Sequence, residues 1–156
     1  MLWIINLVDA EYQKEKIDIN QVVKNIVKQN ITQLKEEKIT IKNNIKEKNI
    51  YKTLNKQHLE ICLWNIIKNA IKYSNKNSII NIEYQDNEII IQDYWVWIEK
   101  KNLKNIYDSY FRENYLTHEW YGLWLALVKK ICDLNQWTIN IISEKNIGTI
   151  VKIKID

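Results

Sequence analysis

The 156-residue sequence contains no proline, two glycines, two cysteines and one arginine. Cys62 and Cys132 lie inside apolar helical patterns with no CxxC or Cys/His spacing. That arrangement speaks for small buried hydrophobes over a disulfide framework or a metal site. No apolar run approaches the roughly 20 residues that a membrane span requires. The apolar stretch Met1 to Val8 lacks a basic leader and a small-residue cleavage site, so the expected location is cytoplasmic, with any membrane anchor elsewhere in the parent protein. A large excess of one charge is also missing. The formal net charge is +4, from 23 basic and 19 acidic residues, and the lysines are spread along the chain, which reads as a solvated surface and argues against a nucleic-acid partner. The length suits one ordinary domain, with 46% hydrophobic and 27% charged residues to build a core and a soluble surface.

What is present is as informative. Lysine, asparagine, isoleucine and tyrosine abound, while alanine occurs only at 10, 70 and 126, a profile that points to a gene poor in G and C. Ordinary usage of about 7% would supply about 11 glycines. Tryptophan, usually rare, occurs seven times.

Hydrophobic spacing divides the chain into alternating elements. Residues 1–14 read as the end of a helix, and Lys16 to Ile19 as a short strand. Asn20 is a candidate N-cap for a helix from Gln21 to about Lys35, with Val22, Val23, Ile26, Val27, Ile31 and Leu34 at helical spacing. Lys38 to Asn43 and Ile50 to Leu54 read as strands. Asn55 caps a helix from Lys56 to about Tyr73 whose buried stripe is Leu59, Cys62, Leu63, Ile66, Ile67, Ala70 and Ile71. Asn65 and Asn69 share a face beside that stripe, and Asn69, Lys72 and Tyr73 lie near the helix end, where polar residues point into a cleft. Strands follow at Ser78 to Tyr84 and Glu88 to Gln92, joined by a turn at Gln85-Asp86-Asn87 that leaves Asp93 at a strand end. A short helix at Lys101 to Tyr110, a helix from Tyr121 to about Leu134, and strands Thr138 to Ser143 and Thr149 to Ile155 complete the pattern.

The segment from Leu63 to Ser74 resembles the N box of sensor histidine kinases. Asp93 to Ile98 is similar to their first glycine box, Ile106 to Arg112 to the aromatic box that ends in arginine, Trp120 to Val128 to the second glycine box, and Gly148-Thr149 to the closing glycine-threonine block. Five blocks in the right order make the resemblance specific, and it covers residues 15–156. It implies an α/β two-layer sandwich of the Bergerat type: a mixed, mostly antiparallel sheet faced by helices. Residues 1–14 would then be the end of a dimerisation and phosphoacceptor helix.

The resemblance also implies roles. Asn69 would hold the Mg²⁺ that accompanies ATP, a neutral oxygen ligand suiting a hard cation that keeps waters and phosphate oxygens. Lys72 and Tyr73 would meet phosphate or ribose, and Asp93 would accept the adenine amino hydrogen bond. Arg112 would steady the transferring γ-phosphoryl. Backbone amides of Tyr121, Gly122, Leu123 and Trp124, opening a helix, would receive phosphate, and Trp95, Trp97, Ile98 and Thr149 would complete the nucleotide's surroundings. Each residue alone has an ordinary structural explanation; their order is what points to a site. Asn65 stands where hydrolysing members carry a glutamate that activates water, and asparagine is no general base at neutral pH. That favours transfer to a protein acceptor: a histidine on a dimerisation segment outside this chain, with a homodimeric parent and a response regulator downstream. His118 lies just before the second glycine box, in what the resemblance implies is a lid over the nucleotide, and His58 reads as a surface side chain in the first turn of the N-box helix, so neither is the acceptor.

Tryptophan complicates the resemblance. Trp95, Trp97, Trp120 and Trp124 occupy glycine positions of the glycine boxes, Trp64 a place where glycine is common, and Trp137 follows Asn135-Gln136 at a glycine turn. Decay would scatter substitutions over many residue types, whereas here the lost glycines all became tryptophan. Reading UGA codons as glycine instead gives 2 + 7, or nine, glycines, near the average expectation. The readings kept are therefore a histidine-kinase ATP-binding domain, a nucleotide-free Bergerat module that binds proteins, and a hydrolytic ATPase of the same superfamily.

Overall fold

The computed structural model describes residues 13–94, 121–144 and 147–155, with backbone alone at 121–124. Strand β1 (Glu15–Asp18) leads directly into helix α1 (Ile19–Gln29). The cap is Asp18 and not Asn20: its carboxylate accepts from Asn20 N at 3.0 Å and from Ile50 N at 3.3 Å. The helix starts early because Ile19 is fully buried and extends the stripe of Val22, Val23 and Ile26. Asn20 is a tether instead, donating to Glu47 O at 3.1 Å and accepting from Asn43 Nδ2 at 3.0 Å. The expected single helix to Lys35 is broken at Asn30, whose side chain turns back onto Ile26 O at 2.9 Å. A separate helix, α2 (Ile31–Glu36), follows.

Strands β2 (Thr40–Asn43) and β3 (Tyr51–Leu54) precede α3 (Lys56–Tyr73), which has the predicted cap, Asn55 Oδ1 accepting from His58 N at 2.9 Å. Next come β4 (Ile79–Gln85), β5 (Glu88–Asp93), α4 (Tyr121–Leu134), β6 (Thr138–Glu144) and β7 (Gly148–Lys154). The β4–β5 turn places Asp86 and Asn87 at φ 53° and 64°, the left-handed pair that matches strand twist in a tight hairpin. Asn87 is anchored by Lys52 Nζ and by Ile155 N, so the turn is tied to β3 and to the chain's last strand. The predicted helix at 101–110 and residues 1–12 lie outside the described residues.

A five-stranded sheet runs in the order β2-β4-β5-β7-β6, and a two-stranded sheet pairs β1 with β3. Only β2 and β4 are parallel; every other pairing is antiparallel, as the resemblance implied. Alternation sends Ile80, Ile82, Ile89, Ile91 and Ile153 to one face, where they are buried in a cluster with Leu63, Ile67 and Ile71 of α3 and Val128 and Ile131 of α4. Each such side chain contributes roughly 1.5–3 kcal/mol by leaving water. The opposite face carries Lys42, Glu83 and Lys152. Burial on one face fixes strand register, because a slip of one residue would expose the whole isoleucine set. No helix among the described residues is long and apolar enough to cross a membrane.

Candidate functional site

Strand register assembles one end of the site. Asp93, the last residue of β5, lies opposite Thr149 of β7, which lies opposite Ser143 of β6. All three are buried, at 4%, 3% and 3% exposure. Thr149 N donates to Asp93 Oδ1 at 3.2 Å, and Thr149 Oγ1 and Ser143 Oγ are 2.9 Å apart. A carboxylate offers about four acceptor positions, so this bond orients Asp93 without exhausting it. Gly148 makes the approach possible. Its φ is +95°, and a Cβ there would meet Asp93 O at 2.0 Å and Tyr94 Cα at 2.8 Å. Only glycine satisfies both demands.

Helix α3 carries the other candidate residues. Asn65 is buried at 7% and donates from Nδ2 to Ile61 O at 2.8 Å, which orients the amide along its own helix. Asn69 and Tyr73 are half-buried and Lys72 is exposed, its ammonium 5.2 Å from the Tyr73 ring centroid. These residues form a graded line from core to solvent along the helix's last two turns. It suits a ligand that is buried at one end and wet at the other.

Helix α4 runs antiparallel to α3. Asn135 Nδ2 lies 2.8 Å from His58 Nδ1, and Cys132 is in hydrogen-bonding contact with Cys62 one turn further in. Continuing that pairing at about 1.5 Å per residue carries the first turn of α4 to the level of the end of α3. By backbone position Tyr121 and Gly122 thus stand near the level of Lys72 and Tyr73.

The structure corrects the reading of His58, which is buried at 6%. The periodicity already held the signal, because 58, 62 and 66 share one stripe and Cys62 and Ile66 are core residues. Burial pushes the Cys62 thiol well above its ordinary range, with the Cys132 contact adding to the shift. Both cysteines are core residues, as expected. Ser143 was not singled out by sequence. Its signal was a serine at the inward position that follows Ile139 and Ile141 in β6.

Three of the tryptophans fall within the described backbone, and none has a positive φ. Trp64 lies on α3, half-buried, with Lys68 Nζ 5.6 Å from its ring. Trp124 is within α4. Trp137 is a core residue at 5% exposure, and the left-handed residue of its turn is Gln136, at φ 60°. Backbone conformation therefore does not demand glycine at these three positions. Trp95, Trp97, Ile98, Arg112, His118 and Trp120 lie outside the described residues, as do the side chains of Tyr121, Leu123 and Trp124.

Residues 54–156 match the family described as the histidine kinase-, DNA gyrase B- and HSP90-like ATPases, and the chain belongs to that family. The sensor protein RprX of Bacteroides fragilis is 29% identical over 151 residues, covering 90% of this chain and 29% of the relative. The heme sensor protein HssS of Staphylococcus saprophyticus is 28% identical over 139 residues, covering 86% and 30%. The chain thus spans about three tenths of the curated relatives it matches. Among solved structures, full-length ShkA in complex with AMPPNP superposes with a TM-score of 0.83 at 16% identity, over 97% of this chain and 33% of that one. The histidine kinase AdeS of Acinetobacter baumannii gives 0.76 at 22% identity over 99% and 74%. The catalytic domain of histidine kinase ThkA gives 0.78 at 16% identity over 92% and 95%. The fold is that of histidine-kinase catalytic domains.

Proposed function

We propose that this chain is the ATP-binding catalytic domain of a sensor histidine kinase, moving the γ-phosphoryl of ATP to a histidine on a dimerisation segment outside residues 15–156. The observation that carries the reading is the buried Asp93 carboxylate, oriented by Thr149 N–H and backed by a glycine that nothing larger could replace. A buried carboxylate acceptor at a strand end fits the exocyclic amine of adenine, because leaving it unpaired is costly and so rewards the matching base.

The residues present fit the rest of the nucleotide. Asn69 would hold Mg²⁺ together with phosphate oxygens. The ion, when bound there, would supply charge neutralisation for the phosphates. Lys72, exposed beside Tyr73, can follow a phosphate in solvent, and the amides at the start of α4 can receive one. Arg112 would add a fixed cation at the transferring group. Asn65 cannot take a proton from water at neutral pH, which favours a protein acceptor over hydrolysis. The parent would act as a homodimer with a response regulator as its second partner.

The glycine boxes are part of this reading. We infer that the tryptophans of the two glycine boxes are glycines in the source cell, encoded by UGA. The gene sequence tests this directly, since UGG at Trp95 or Trp124 would sink the idea, and peptide mass spectrometry on protein from the source cell tests it independently. Calorimetric titration with Mg-ATP of the domain bearing glycine at the seven positions, beside the tryptophan form, tests the kinase reading. Micromolar binding by the glycine form is expected. Absence of binding leaves the nucleotide-free interaction module, and rapid ATP turnover without an acceptor leaves the hydrolytic ATPase.

A further inference from the structure

Three inward-facing polar residues stand side by side across three adjacent strands: Asp93, Thr149 and Ser143. Thr149 is bound on both sides. Its amide reaches the Asp93 carboxylate at 3.2 Å, and its hydroxyl is 2.9 Å from that of Ser143, with every member buried. The two hydroxyls close the β6–β7 hairpin, where Ile147 N also donates to Glu144 O at 3.1 Å. The next residue, Gly148, has a left-handed backbone and imposes no side-chain constraint of its own. Pairing with Asp93 on one side and Ser143 on the other holds the Thr149 main chain, and the orientation of its side chain remains to be chosen. A β-branched threonine has few staggered orientations, and a buried hydroxyl partner selects one of them. Ser143 is that partner, on the strand that forms the edge of the sheet among the described residues.

We propose that Ser143 is a positioning residue for base recognition, setting the Asp93 carboxylate through Thr149 without touching the nucleotide. The inference rests on the ATP reading given above. Its consequence concerns discrimination more than overall affinity. Phosphate and metal contacts are shared by all nucleoside triphosphates, whereas an acceptor aimed at an exocyclic amine favours adenine over a purine with a 6-oxo group. A loosened hairpin end lets the Thr149 amide drift from Oδ1, the carboxylate turns, and the preference narrows while phosphate binding persists.

The test compares Mg-ATP with Mg-ITP by calorimetry, on protein bearing the amino acids that the source cell inserts at the seven tryptophan positions. Ser143→Ala should narrow the ATP-over-ITP affinity ratio by about tenfold, chiefly through weaker ATP binding. Ser143→Thr, which keeps a hydroxyl and suits a strand, should restore it. Thr149→Val removes the other hydroxyl at nearly constant shape and, because Thr149 also borders the nucleotide, should narrow the ratio at least as much. It also carries the test if Ser143→Ala does not fold. The double variant should lose no more than Thr149→Val alone. An unchanged ratio in Ser143→Ala or Thr149→Val, beside an unsubstituted domain that prefers ATP, overturns the inference alone. An unsubstituted domain that binds neither nucleotide overturns the ATP reading, and this inference with it.

Discussion

Gly148 packs so closely on Asp93 that a Cβ would lie 2.0 Å from its carbonyl oxygen, and this contact joins the closing block of the chain to the strand end that carries the candidate site. Gly148→Ala meets both a backbone clash and a φ of +95°. Strain at such a position costs roughly 1–3 kcal/mol. We expect urea denaturation to show a midpoint lowered accordingly, and nucleotide titration to show loss of the ATP preference, because β7 cannot shift without taking Thr149 from Asp93. An alanine variant as stable as the parent would mean that the strands can separate at this point.

Asp93→Asn keeps the shape of the side chain and removes its charge. The amide presents one acceptor and a donor where the carboxylate presents acceptors only. A hydrogen bond to a carboxylate oxygen contributes about 2 kcal/mol, roughly thirtyfold in Kd for ATP. Calorimetry should register that loss with little change in thermal stability. Equal affinity in the two proteins would remove Asp93 from base recognition.

His58 and Asn135 clasp the beginning of α3 to the end of α4, and Asn135 also donates to Ile131 O at 2.8 Å. A double-mutant cycle with His58→Ala and Asn135→Ala should give a coupling energy of about 1 kcal/mol in chemical denaturation. Purely additive effects would show that the contact contributes nothing to holding the helices together.

Cys62 and Cys132 are both fully buried, and burial raises the Cys62 thiol. Thiolate is the reactive species, so iodoacetamide at mildly alkaline pH should leave both residues unmodified in the native protein and alkylate both after unfolding in urea. The folded-state thiol of Cys62 holds its proton more tightly than the unfolded one. Its contribution to stability is therefore complete below the ordinary thiol range and is lost as pH climbs above it. Rapid alkylation of the native protein would contradict this burial.

Much of the architecture was legible in the residues. The limits of α3 followed from the Asn55 cap and one continuous apolar stripe, and α4 and the β4–β5 hairpin matched their expected positions closely. Where α1 begins was not legible, because Asp18 and Asn20 are equally good caps by type and only the burial of Ile19 chose between them. Its break at Asn30 was hidden for a similar reason, since Ile31 and Leu34 continue the helical spacing after the chain has turned. His58 was misread because histidine is tolerated at surfaces, although its place on the stripe of Cys62 and Ile66 pointed inward.

The candidate site divides in the same way. The sequence by itself determined the family's ordered blocks, the cap and stripe of α3, and the position of Asp93 at a strand end, because these depend on local spacing and residue type. Tertiary structure alone decided that Asp93, Thr149 and Ser143 form one line across three strands, since Asp93 and Thr149 are 56 residues apart and only strand register brings them together. It also decided that Gly148 admits no side chain, and that Trp137 is a core residue whose backbone does not require glycine. Those outcomes turn on what lies opposite in space, and in a sheet that is set by the burial of one whole face.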